Sequence, residues 1–171
     1  GDPLGRDPES VAEDVARGAV SPSTGADIYG VILTASGEPN LAATDRQRED
    51  IRKCRLGASV VPDLGDAAIT FAGSGILDIA GTLTIDFTAE KVSCGYCGHQ
   101  YCRPRDNLLE HLGEVRSPLI AAGPVRGEDY DHARFHLRQL ICPECGGLVD
   151  VEVAMEKTPR SLMKIGVGDT G

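Results

Sequence analysis

The sequence predicts an α+β chain: a small helical N-terminal segment, then a mainly β module carrying a long loop-rich insertion. Three observations predict it. Asp7-Pro8 and Ser21-Pro22 each put a capping oxygen just before a proline that suits the first position of a helix. From Ala68 the apolar period changes to two, most clearly where Leu83, Ile85 and Phe87 alternate with Thr82, Thr84, Asp86 and Thr88. Two C-x-x-C-G units, Cys94 to Gly98 and Cys142 to Gly146, then punctuate the β half, each with strand-like sequence beside it.

The helical segment covers residues 1–57. A first helix follows Asp7, with Val11, Val15 and Ala19 on one face and Gly18 near its end. A short turn follows Ser21. Tyr29 to Thr34 reads as a short strand, Gly37 to Asn40 as a turn, and Leu41 to Leu56 as a charged helix stopped by Gly57. The apolar stripe of that helix is thin (Leu41, Ile51 and Cys54). Residues 58–67, with Pro62, Gly65, Asp63 and Asp66, read as a linker.

The module spans 68–157. Ala68 to Phe71 and Ile76 to Ile79 are strand candidates about a turn at Gly73-Ser74-Gly75, and Lys91-Val92-Ser93 leads into the first cysteine unit. Between the units, Asn107 to Leu112 suits a helical turn, and Pro118, Gly123, Pro124 and Gly127 mark the loop-rich insertion. Arg134 to Ile141 reads as a strand entering the second unit. Leu148 to Val153 leaves it, with Val149, Val151 and Val153 expected on one face. Residues 158–171 read as a Gly-rich tail.

Strand, knuckle, strand about C-x-x-C is a zinc-ribbon-like arrangement. Two intervening residues let the backbone turn tightly enough to aim both sulfurs at one ion, and two such pairs close a tetrahedral site. The glycine after each second cysteine allows positive φ, so nearby N–H groups can turn toward the thiolates. The ligands expected are Cys94, Cys97, Cys142 and Cys145, with Cys102 as the alternative to Cys94; His99 is weighed and read as a polar turn residue. The expected ion is structural Zn²⁺, because four thiolates fill the shell and leave no open position for water.

Other signals are bland. Gly73-Ser74-Gly75 lacks the Lys-Ser/Thr ending of a phosphate loop, and no nucleotide fingerprint or metalloprotease helix is present. His132 and His136 share a strand face too widely spaced for one ion. His111 and Glu110 are adjacent and point apart. Glu128, Asp129 and Asp131 read as a solvated loop. No catalytic residue is assigned.

The chain has 171 residues, 21 of them Gly and 10 Pro, with no Trp, four Tyr and three Phe, a thin aromatic supply for a large core. Its net charge of −9 disfavours non-specific nucleic-acid binding, and no basic stripe offsets it. Six cysteines without a secretory signal point to metal in a reducing compartment, with the cytoplasm as the default. No apolar run suits a membrane span. The chain opens on Gly and not Met, which suggests a processed or partial polypeptide. A rubredoxin-like iron electron carrier is the alternative reading of the same four cysteines.

Residues from about 68 to 159 resemble the gamma subunit of acetone carboxylase. The matching stretches are Val92 to Cys102, Asp106-Asn107 and Phe135 to Glu152. The family has C-x-C ahead of Gly-His where this chain has Cys94-x-x-Cys97, a departure that favours Cys102 more than spacing alone does. Residues 1–57 resemble the C-terminal end of a hydantoinase B / 5-oxoprolinase-type subunit, through Gly1 to Leu4, Arg6 to Glu9, Glu13 to Val15, Gly18, Val20 to Pro22 and Tyr29 to Leu33. Together they imply a fusion: an accessory zinc module of a multi-subunit, ATP-dependent hydantoinase or carboxylase (acetone or acetophenone carboxylase-like, or N-methylhydantoinase-like). It would dock as part of a hetero-oligomer on large hydantoinase A/B-type subunits, with ATP bound by a partner and neither nucleic acid nor membrane engaged.

Overall fold

The computed structural model describes residues 1–60, 75–119 and 135–160. The strand expected at Ala68 to Phe71 lies outside them, as do most of the Gly73-Ser74-Gly75 turn, His132, the 128–131 acids and most of the 158–171 tail. The chain is a small α+β fold, with a few helices and, among the described residues, two antiparallel sheets. It divides into Gly1–Gly57 and Ala58–Gly171.

In the first unit both expected caps form. The Asp7 side chain accepts from the Ser10 N–H ahead of α1 (Pro8–Ala16), and Ser21 accepts from Thr24 N–H ahead of α2 (Pro22–Asp27). Gly18 follows α1 with φ 73°. α3 (Leu41–Ala58) begins at Asn40, whose Oδ1 accepts from Ala43 N–H. Gly57 does not stop it. The helix continues to Ala58, since glycine in αR conformation loses stability without breaking the hydrogen-bond ladder.

Tyr29 to Thr34 is not a strand; one isolated bridge, Leu33 to Pro39, is all that forms there. Its polar groups go elsewhere. Val31 N–H donates to Gly25 O, Ile32 N–H to the buried Thr44 Oγ1, and Asn40 N–H to Ile32 O. The thin stripe of α3 is also not its packing face. Leu41 and Cys54 are exposed. The helix instead docks through Thr44, through Arg48, whose guanidinium donates to Tyr29 O and Arg6 O, and through Arg55 against the buried Asp2. Leu4, Val11 and Val31 fill the small core.

The second unit holds two sheets. One runs β1 (Ile76–Ile79), β2 (Leu83–Asp86), β3 (Lys91–Cys94) and β4 (Gln100–Cys102), in that order. The other runs β5 (Gly113–Pro118), β6 (Phe135–Ile141) and β7 (Leu148–Met155). The alternation in β2 behaves as read: Leu83 and Ile85 are buried while Thr84 and Asp86 are half-buried. Leu83, Ile85, Val92, Leu108, Leu109, Leu112 and Leu140 pack into one core with Cys94, Cys102 and Cys142. The leucines at 108 and 109 belong to a 3-10 turn, Leu108–His111, where a helical turn was expected.

Ahead of the loop-rich insertion, whose Gly123, Pro124 and Gly127 lie outside the described residues, the chain forms β4 and β5, and Pro118 closes β5. Two expectations for this unit need correction. Residues 58–60 are not linker, since Val60 exchanges hydrogen bonds with Glu114. Val151 and Val153 face solvent, and the buried side of β7 is the one carrying Glu152 and Ala154. The cause is on β6, where Arg138 is only 2% exposed and draws Glu152 inward with a 3.0 Å ion pair.

Candidate metal centre

β2 and β3 pair so that Leu83 sits opposite Cys94, and β6 and β7 pair so that Ile141 sits opposite Leu148. Each pairing holds one knuckle at the end of a sheet. The knuckles are local twins. Cys94 N–H donates to His99 O and Gly98 N–H to Cys94 O. At the other, Cys142 N–H donates to Gly147 O and Gly146 N–H to Cys142 O. Gly98 and Gly146 hold φ of 75° and 69°, a conformation a Cβ would strain.

The four sulfurs of Cys94, Cys97, Cys142 and Cys145 lie within 4.8 Å of one another. Cys94 Sγ is 3.7 Å from Cys145 Sγ, and Cys97 Sγ is 3.8 Å from Cys142 Sγ. Zn–S bonds of about 2.3 Å at the tetrahedral angle place sulfurs about 3.8 Å apart. The cluster therefore already has the dimensions of a tetrahedral thiolate site. All six cysteines of the chain are reduced.

Backbone donors surround the sulfurs as the glycine positions led one to expect. The Cys97 N–H donates to Cys94 Sγ, its twin Cys145 N–H to Cys142 Sγ, and Gly147 N–H to Cys145 Sγ. Such N–H···S contacts orient and stabilise metal-bound thiolates. With protons alone, the four sulfurs compete. S–H donation from Cys142 and Cys145 pulls the Cys94 thiol far below its ordinary range, and the same contacts push Cys145 far above it. A divalent ion removes that conflict by stabilising all four thiolates together.

Tyr101 was not anticipated. Its ring packs edge-on against His99 at 5.7 Å, and its buried hydroxyl lies against Cys94 and Cys142 without a well-formed hydrogen bond. A buried hydroxyl lacking a strong acceptor fits a site whose sulfurs become full anions when metal binds. In sequence it is one more strand aromatic, so nothing marked it.

Cys102 does not join the four. It sits on β4, buried, and burial together with the charge of Asp106 pushes its thiol up to about 12. His99 contributes its backbone carbonyl and its ring edge.

Gly95 is where the first knuckle touches the β1–β2 turn. A Cβ there would fall 2.2 Å from Gly81 O, a backbone atom. Gly95→Ala is expected to lower the stability of the metal-loaded module by about 1–3 kcal/mol through this overlap. Urea midpoints of the variant and the wild-type chain measure it.

The fold and site thus define a small α+β protein with a four-cysteine cluster of metal-binding dimensions. No protein-family model matches the chain, and no curated protein matches it.

Proposed function

We propose that the chain is the accessory zinc-binding part of a multi-subunit, ATP-dependent hydantoinase or carboxylase, docking on large hydantoinase A/B-type subunits. The four-sulfur cluster carries the metal half of this reading. Zn²⁺ held by Cys94, Cys97, Cys142 and Cys145 would lock the ends of both sheets together. With every coordination position filled by sulfur, it would act structurally and not as a Lewis acid. The role in a complex rests on the resemblance of residues 68–159 to acetone carboxylase gamma subunits and of residues 1–57 to the end of a hydantoinase B-type subunit. Two exposed apolar stretches support docking: Ile76, Leu77 and Ile79 on β1, and Val151, Val153 and Met155 on β7. Among the described residues no helix is long and apolar enough to cross a membrane.

Elemental analysis of the purified chain, with its visible spectrum, tests the metal. At least one colourless zinc per chain is expected. Iron with strong visible absorption would instead make the cluster a rubredoxin-like electron carrier. Co-purification with co-expressed hydantoinase A/B-type subunits tests the assembly, and their failure to associate would remove the complex from the proposal.

A further inference from the structure

The cysteine left out of the four-sulfur cluster belongs to a second group. Cys102 Sγ, a carboxylate oxygen of Asp106 and a ring nitrogen of His111 lie within 4.8 Å of one another. Cys102 is fixed on β4 opposite Val92, and Asp106 and His111 are half-buried beside it. Separate local causes bring the three together. Asp106 closes a turn: its Oδ2 accepts from Arg103 N–H at 3.0 Å, and its own N–H donates to Arg103 O at 3.0 Å. His111 ends the 3-10 turn, whose orientation is set by the fully buried Leu108, Leu109 and Leu112.

We propose that Cys102, Asp106 and His111 form a second metal site, with three protein donors for a divalent transition ion of the zinc class and a fourth position left to water or a ligand. The donor set selects the ion. Thiolate and imidazole exclude Ca²⁺ and Mg²⁺, which take oxygen ligands, and suit Zn²⁺, Co²⁺ or Fe²⁺. Charge fits as well: thiolate, carboxylate and neutral imidazole together balance a divalent cation, so the loaded site is neutral where Cys102 is buried. Three protein ligands is also the number that leaves coordination open, unlike the closed four-thiolate cluster.

Each residue has a plainer duty that falls short of the arrangement. A buried cysteine packs as a small apolar side chain, but that does not bring a carboxylate and an imidazole to its sulfur. The Asp106 carboxylate gives its turn one hydrogen bond, from Arg103 N–H, and has lone pairs on both oxygens to spare for a metal. None of the four knuckle cysteines is used, so the chain would hold two ions.

The test is a Co²⁺ titration of the demetallated full chain, read by visible absorption and calorimetry. Two equivalents are expected. One should give the intense charge-transfer bands of four thiolates; the other should give weaker bands of a single thiolate. His111→Gln is expected to abolish the second equivalent and leave the first intact, and the retained first equivalent shows that the variant folds. Asp106→Asn, which keeps an oxygen for the Arg103 turn, should weaken only the second. A wild-type titration that ends at the four-thiolate equivalent, or a second equivalent indifferent to both substitutions, would overturn the proposal. Absence of the four-thiolate bands would instead sink the reading of the knuckles, while single-thiolate bands still reported on this site.

Discussion

Cys145→Ala is expected to unfold the two sheets, β1 to β7, while α1 and α2 keep their structure. Three cysteines of the core that joins the two sheets are Cys94, Cys102 and Cys142, and two of these are also members of the four-sulfur cluster. The apolar part of that core is a handful of Leu, Ile and Val side chains with little aromatic mass. Structural zinc contributes an apparent binding energy of about 10–16 kcal/mol in zinc-finger peptides. Whole domains are stable by only about 5–15 kcal/mol. Losing a ligand therefore removes a term as large as the module's net stability. It also leaves three sulfurs with no ion to settle which of them is charged. Limited proteolysis and hydrogen exchange check the expectation, with a zinc chelator on the wild-type chain as a parallel. The first unit provides an internal control, because its core of Leu4, Val11 and Val31 draws on none of these cysteines. Protease resistance of residues 76–155 that survives both treatments would mean that the sheets hold without metal.

The knuckles could be read from sequence because their geometry is local: two intervening residues and a following glycine decide where the sulfurs point. The caps at Asp7 and Ser21 and the alternation in β2 are local in the same sense. What escaped was set by partners distant in the chain. β5 has the sequence Gly113-Glu114-Val115-Arg116-Ser117-Pro118, which has no apolar alternation; it is a strand because it pairs in register with β6 and because Glu114 meets arginines from further along. Tyr29 to Thr34 has strand composition but finds no ladder, and its N–H groups turn to helix carbonyls and to Thr44. Val151 and Val153 point outward because the charge on Arg138, one strand away, decides which face of β7 is buried. Cys102 looked like a competitor for the knuckle site because spacing cannot show that its sulfur faces Asp106 and His111.

Glu114→Gln is expected to destabilise the second unit by about 3–5 kcal/mol, the usual result of removing one partner from a buried ion pair. Glu114 Oε2 lies 3.2 Å from Arg160 Nε and 3.6 Å from Arg138 Nε, and Oε1 pairs with Arg116. Arg138 is the critical partner because it is almost wholly buried. Its remaining contacts are Glu152 at 3.0 Å and the carbonyls of Thr158 and Pro159. Without Glu114, Arg116 and Arg160 lose the carboxylate they share, and Arg138 keeps Glu152 alone. Urea midpoints of Glu114→Gln, Arg138→Met and the double variant measure the coupling between the two residues, with Arg138→Met also freeing Glu152 from its 3.0 Å ion pair. The pH dependence has a definite sign. Burial pushes the Glu114 carboxyl upward, but Arg116, Arg138 and Arg160 together more than offset it and hold the group below its ordinary value of 4.5. A depressed carboxylate stabilises the fold fully above its unfolded value. That contribution is lost as pH falls through the lower folded one. The wild-type module should therefore lose stability on acidification below about pH 4.5. In the Glu114→Gln variant this part of the slope should be missing. Knuckle thiolates also take up protons in acid, so the comparison is made between the two chains at equal zinc occupancy. Equal midpoints at pH 7, or parallel acid slopes, would show that Arg138 does not depend on Glu114.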